Sequence, residues 1–198
     1  MKIYIPDDCK KISVLFSGGM DSTALLYLLV TQCQEENRNI PIKCYSMKVG
    51  AEEKVCPNIL SWFSNRFSIE IPFQFLSKYP MFIRPAVETI QLIDPSYVYT
   101  GCNKVVTDEF TPTKYIKNDT PPVRGPALNS HHLRPFIDID KRDIAKVYYD
   151  YQILDLLDLT FSCGSLEKQG KEFFPCNQCY FCMERNWALQ SIINNRNL

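Results

Sequence analysis

The sequence lacks an excess of either charge: 22 Lys and Arg stand against 22 Asp and Glu in 198 residues. No net field draws such a molecule to a polyanion, so nucleic acid is a poor expectation as a partner, and any anionic ligand must be met by local chemistry. Long apolar runs are missing too. None approaches the roughly eighteen residues of a membrane span, and the opening MKIYIPDDCKK has no apolar stretch of the kind a secretion signal needs. A cytoplasmic location without a membrane partner is the default expectation. Neither internal repeats nor low-complexity tracts are visible, and 45% hydrophobic content excludes a disordered chain. The length suits a single domain over residues 1–198.

Two nucleotide-binding signatures are also absent. The chain has no Gly-x4-Gly-Lys-Ser/Thr loop with its lysine, and no Gly-x-Gly-x-x-Gly after a strand. Its two histidines, His131 and His132, lie in the proline-rich stretch 111–135, and no spacing places them for metal or base chemistry. A solvated loop is the expectation for both, and the stretch itself reads as a mobile connection or a lid.

What is present begins with nine cysteines, an odd number in a chain without a secretion signal. That argues against a disulfide framework and for metal binding or catalysis. Cys9, Cys33, Cys44, Cys56 and Cys102 are scattered and read as small core hydrophobes. Cys163, Cys176, Cys179 and Cys182 crowd together as Cys-x12-Cys-x2-Cys-x2-Cys. Four thiolates at that spacing suit tetrahedral zinc in a closed structural site, with 163–182 as a metal-binding subregion. Metal-free thiols, a redox pair or an iron-sulfur cluster are the other readings.

Apolar runs alternate with helical patterns along the first hundred residues. Strands are expected at 12–16, 42–49, 67–75 and 96–101, with helices at about 21–36, 52–66 and 85–93 between them. Pro57 suggests that the second helix is short or broken. Asp138 and Asp140 are candidate N-caps of a further helix reaching about residue 151, and MERNWALQSIINN closes the chain as an amphipathic helix. This alternation predicts an α/β fold: an open, twisted, mainly parallel sheet with helices on both faces. Such sheets bind ligands at the carboxyl ends of their strands.

The run VLFSGGMDSTALLYLL, residues 14–29, places two glycines and three hydroxyl side chains where the first strand meets the first helix. Glycine admits positive φ and close approach of a ligand, and the first helical N–H groups have no internal acceptor. Together with Ser17, Ser22 and Thr23 the turn reads as a phosphate cradle built without basic charge. Asp21 at its mouth fits best with magnesium between carboxylate and phosphate. A capped helix after a tight turn, with Asp21 or Ser17 as the cap, is the plain alternative.

SGGMDST at 17–23 resembles the SGGxDS signature of the PP-loop N-type ATP pyrophosphatases, which adenylate an acceptor. Within that superfamily the chain is similar to the 7-cyano-7-deazaguanine synthases. The stretches that carry the likeness are YTGCNKVVTDEFTP (99–112), RPFIDIDKRDIAKV (134–147), LDLTFSC (157–163) and CMERNWAL (182–189). YSMKVGAEEK stands where that family has Tyr-Gly-Gln-x-His, and the segment between the first two cysteines is longer than usual.

The resemblance implies an adenine nucleotide alpha hydrolase-like sheet with a C-terminal zinc knuckle. It implies ATP-dependent synthesis of 7-cyano-7-deazaguanine from 7-carboxy-7-deazaguanine and ammonia, with ATP, Mg2+ and Zn2+ as cofactors and a homodimer as the assembly. Carried over by position, Asp21 and Ser22 are catalytic. Phe16, Ser17, Gly18, Gly19, Met20, Asp21, Ser22, Thr23 and Gly101 bind the nucleotide, while Asn103 and Asp108 contact substrate. Cys163, Cys176, Cys179 and Cys182 hold the metal, and Arg185 is a candidate for the site or for a partner subunit, with a solvated surface arginine as the plain alternative. A ligase acting on another deazapurine, a tRNA base or a protein terminus, or an inactive ATP-binding module, are the alternatives.

Overall fold

Four consecutive residues, Ile12–Leu15, are all buried, as expected of a strand covered on both faces. In the computed structural model, which describes residues 1–47, 51–76, 82–106, 125–163, 167–169 and 172–195, they form β1, the central strand of a five-stranded sheet. Alternation sorts their side chains: Ile12 and Val14 enter one core, and Leu15 enters the other. β1 leads into α1 (Met20–Glu35), β2 (Ile42–Ser46), α2 (Glu52–Phe67), β3 (Phe73–Phe75), α3 (Ile83–Ile93), β4 (Tyr97–Thr100) and β5 (His132–Leu133). After the sheet come α4 (Lys141–Asp150), α5 (Leu154–Asp158), an antiparallel hairpin of β6 (Glu167–Gln169) and β7 (Glu172–Phe174), and α6 (Tyr180–Asn195).

All pairings in the large sheet are parallel, in the order β3-β2-β1-β4-β5. The chain steps outward from β1 through β2 to β3, then returns across the sheet to β4 on the other side of β1. Right-handed crossovers then put α1 and α2 on one face and α3 on the opposite one. The cores agree: Leu25, Leu29, Ile59 and Phe63 join Ile144, Leu156 and Ala188 on one face, and Ala86, Val87 and Ile90 pack under Leu15 and Val98 on the other. Because the chain leaves β1 and β4 in opposite directions, a crevice opens between their carboxyl ends. No helix among the described residues is long and apolar enough to cross a membrane.

The expected α/β architecture is therefore present, with several differences in detail. Residues 67–75 do not form one strand. Phe67 is the last inward residue of the helical series Cys56, Ile59, Phe63, and its ring stacks on Phe63 at 5.9 Å. Ser68 then stops α2 with φ 55°. Pro57 does not break α2: it is exposed in the second turn, so the carbonyl it leaves without a donor can be hydrated. Asp140, not Asp138, caps α4, accepting from the Arg142 amide at 2.8 Å. β5, α5 and the β6–β7 hairpin are not among the strands and helices expected above.

Candidate functional site

Immediately after β1 the backbone turns at Gly18, whose φ of 69° and Cβ-to-Val55 Cγ1 distance of 2.7 Å would both penalise a side chain. Gly19 then occupies the N-cap position of α1 in extended conformation. Ser22 staples the turn from inside, its hydroxyl donating to Gly19 O at 3.2 Å and accepting from Ser17 N at 3.3 Å. Gly101 closes the site from β4. A Cβ there would lie 2.9 Å from Ser22 N and 3.0 Å from the Asp21 carbonyl carbon, so only glycine lets the loop after β4 pack on the first turn of α1.

The turn opens on a cleft of about 350 Å³ at the crevice between β1 and β4. Leu15, Met47, Val55 and Ile83 give it an apolar wall, while Asp21, Glu52 and Lys141 bring charge. Lys141 is the first residue of α4 and its side chain is 2% exposed, yet it is fully paired: 3.1 Å to Asp21 Oδ2 and 2.6 Å to Glu184 Oε2. Burial pulls its ammonium pKa down, but the two carboxylates outweigh that and leave it above the ordinary lysine value. Glu184 is also buried, and its other oxygen accepts from Asn103 Nδ2 at 3.0 Å and from Tyr180 OH at 3.2 Å. A buried chain of charge thus runs from α6 through α4 to the first turn of α1.

A strap over residues 160–163 links this turn to the cysteines. Phe161 N donates to Gly18 O at 2.9 Å, and Met20 N donates to Ser162 Oγ at 3.2 Å. Cys163 follows directly, and with Cys176, Cys179 and Cys182 it forms a group whose sulfurs all lie within 4.8 Å of one another, a set able to hold a metal ion. Arg185 fixes the start of the strap, donating to the carbonyls of Leu157 at 3.1 Å and Thr160 at 3.2 Å. It is a half-buried clamp rather than a solvated side chain.

The structure brings Ser17, Gly19, Asp21, Ser22 and Gly101 to the cleft. Phe16, Met20 and Thr23 are fully buried, so the first two contribute backbone only, and Thr23 N is spent on Gly19 O. Asn103 is 1% exposed and turned to Glu184; Asp108 lies outside the described residues. Sequence reasoning missed Lys141, Glu184 and Ser162, and it read Cys102, which lines the cleft, as core filler. The signal for Lys141 was its place on the apolar stripe 141, 144, 145, 148 of α4, where a charge requires a buried partner.

His132 is likewise no loop residue. It is 5% exposed on β5, its Nδ1 accepting from Leu128 N and its Nε2 standing 3.1 Å from Thr100 Oγ1 beside the cleft. Burial, helped by the charge of Arg134, lowers its pKa to about 4, so it is neutral at physiological pH. His131 does stay at the surface, its ring edge-on to Tyr97.

No family model matches the chain, and no curated protein matches it. Among solved structures it is similar to the U34-tRNA thiolase NcsA from Methanococcus maripaludis with its 4Fe-4S cluster, at 12% identity and a TM-score of 0.45. The match covers 94% of this chain and 65% of that one, so the chain spans less than two thirds of the neighbour's length.

Proposed function

We propose that the protein is an ATP-dependent adenylating ligase of the PP-loop kind, which makes 7-cyano-7-deazaguanine from 7-carboxy-7-deazaguanine and ammonia. The observation that carries this reading is the position of the turn 17–22: a glycine cradle at the carboxyl end of the central strand, at the switch point of a parallel sheet, opening on a cleft with an apolar wall. The specific acceptor comes from the sequence resemblance.

The chemistry explains why ATP is needed. A carboxylate repels nucleophiles and has no leaving group. Its oxygen attacks the α-phosphorus of ATP, the α–β bridge breaks, and pyrophosphate departs. Ammonia then adds to the acyl carbon and AMP leaves with the oxygen, giving the carboxamide and releasing a proton to solvent. Adenylation of the amide oxygen by a second ATP releases a second pyrophosphate, and departure of AMP with the two remaining N–H protons leaves the nitrile.

In this scheme the Gly18–Gly19 backbone holds phosphate, and Asp21, locked by Lys141, keeps the first turn of α1 in place. Mg2+ would neutralise the nucleotide's phosphates, and among the described cleft residues Asp21 and Glu52 offer carboxylate oxygens for it. The cysteines fit zinc. Thiolates sharing one tetrahedral ion at about 2.3 Å stand about 3.8 Å apart, against 3.6 Å for Cys163 to Cys176, 3.9 Å for Cys179 to Cys163 and no more than 4.8 Å for any pair of the four. A cubane cluster puts each thiolate on its own iron and would spread the sulfurs further. Four protein ligands leave zinc no open position, which makes it a support for the strap.

The test is mass spectrometry of a reaction containing metal-loaded protein, MgATP, ammonium and 7-carboxy-7-deazaguanine. Nitrile formed together with AMP is the expected result. AMP without nitrile would move the search to another acceptor, and no AMP under any condition would leave only a nucleotide-binding module.

A further inference from the structure

We propose that Ser162 is a phosphate-binding residue of the cleft, held in position by the cysteine cluster. The inference rests on the reading of the turn 17–22 as a nucleotide site. The N-cap of α1 is Gly19, which has no side chain to accept from the first amides of the helix. The missing cap comes from elsewhere in the chain, as Ser162 Oγ accepts the Met20 N–H at 3.2 Å.

A serine at position 19 could have capped the helix itself, but its Cβ would fill the space above the turn. That space has a defined surround. The point where a Gly19 Cβ would sit lies 3.2 Å from Ser17 Oγ and 3.6 Å from Ser162 Oγ. Phe161 O lies 3.6 Å away and, being an acceptor, offers phosphate nothing. Ser17 Oγ accepts from Gly19 N at 3.3 Å and lies 3.2 Å from Ser22 Oγ, whose own proton goes to Gly19 O, so the Ser17 proton is directed at Ser22. With a lone pair of Ser162 Oγ engaged by Met20 N–H, the Ser162 hydroxyl proton is left to point outward, and an oxyanion over Gly19 would meet it. Capping from the strap therefore satisfies the helix, keeps Gly19 bare and adds a donor to the cleft.

The strap is fixed at both ends. Arg185 of α6 grips it at Thr160, and the next residue after Ser162 is Cys163, a member of the cysteine group. With the four sulfurs gathered on an ion, Ser162 has little freedom; without the ion, its carrier keeps the Arg185 grip and the Phe161 N to Gly18 O hydrogen bond but loses the anchor at Cys163.

The test compares metal-loaded wild type and Ser162→Ala by titration calorimetry with two probes, magnesium α,β-methylene-ATP and adenosine. One hydrogen bond from a neutral donor to a charged acceptor predicts about tenfold weaker binding of the triphosphate analogue, with adenosine affinity and metal content unchanged. Equal binding of the analogue by both proteins, or parallel losses for both probes, would overturn the role of Ser162. Stripping the metal with a chelator is expected to reproduce the selective loss. Unchanged analogue affinity in metal-free protein, or loss of both probes together, would overturn the coupling. Wild type that binds adenosine but not the analogue would remove the phosphate reading of the turn itself, and this inference with it.

Discussion

Lys141→Met should be the most costly single change in the cleft, for a reason that can be tested by arithmetic. Methionine keeps the buried apolar stem of the side chain, so the loss isolates the charge. What remains is Glu184, 2% exposed, with Oε2 deprived of its 2.6 Å partner, and Asp21, which is 22% exposed and can turn to water. Removing one member of a buried ion pair costs about 3–5 kcal/mol, and partial hydration of Asp21 leaves roughly 4 kcal/mol as the expectation here. Glu184→Gln alone should cost about 2 kcal/mol, because Lys141 keeps Asp21 and the new amide oxygen can still accept from Asn103 and Tyr180. In the double variant no unpaired charge stays buried, so its cost should fall short of the sum of the singles by at least about 2 kcal/mol. Urea unfolding of the four proteins, with midpoints and slopes fitted together, gives the cycle. Additivity within about 0.5 kcal/mol would refute the reasoning, as would a Lys141→Met cost below about 1 kcal/mol; either would mean the lysine is solvated.

The two glycines of the turn should respond in opposite ways. Gly18→Ala, forced to φ 69° against Val55, should lower stability by about 2 kcal/mol or more in thermal melts, whereas Gly19→Ser should stay within about 1 kcal/mol of wild type and lose binding of the triphosphate analogue. His132, with its pKa lowered from 6.5 to about 4, favours the folded state fully above pH 6.5, and that contribution fades as pH falls toward 4. Stability should therefore drop by about 1–2 kcal/mol more between pH 7 and 5 in wild type than in His132→Gln; equal slopes in urea titrations would show that another group controls the acid limb. Asp21→Asn should lower turnover at least about a hundredfold while costing about 1 kcal/mol of stability, since Lys141 keeps Glu184. A fully active Asp21→Asn enzyme would end the role assigned to that carboxylate.

The central part of the fold is readable because its signals are local. The apolar run at 12–16, the glycine turn and the leucine-rich helix each carry their own period, and a parallel sheet follows from their alternation with later strands. The cysteine spacing is equally direct, since thiolates with two residues between them on a tight turn can reach one ion. β5 gives no such signal: two residues, His132 and Leu133, become a strand only because β4 offers Val98 and Tyr99 as partners. Phe67, Ile69 and Ile71 alternate as a strand would, but the same phenylalanine also completes a helical series, and tertiary packing chose the helix. The Gly-Lys pair at 170–171 between two short runs is an available hairpin signal for β6 and β7. Lys141 and Glu184 meet across 43 residues and owe their pairing to the contact between α4 and α6, which no local pattern encodes.

The sulfurs of Cys163 and Cys176 lie 3.6 Å apart although twelve residues separate them in the chain. The intervening segment, hairpin included, leaves and returns to almost the same point. Doubling its length would add only about 0.6 kcal/mol of closure entropy and leave the two sulfurs free to meet at the same point. The cysteine group works as a splice point, where a peptide of chosen length or a reporter domain could be grafted into the protein while the cleft a few residues away keeps its shape.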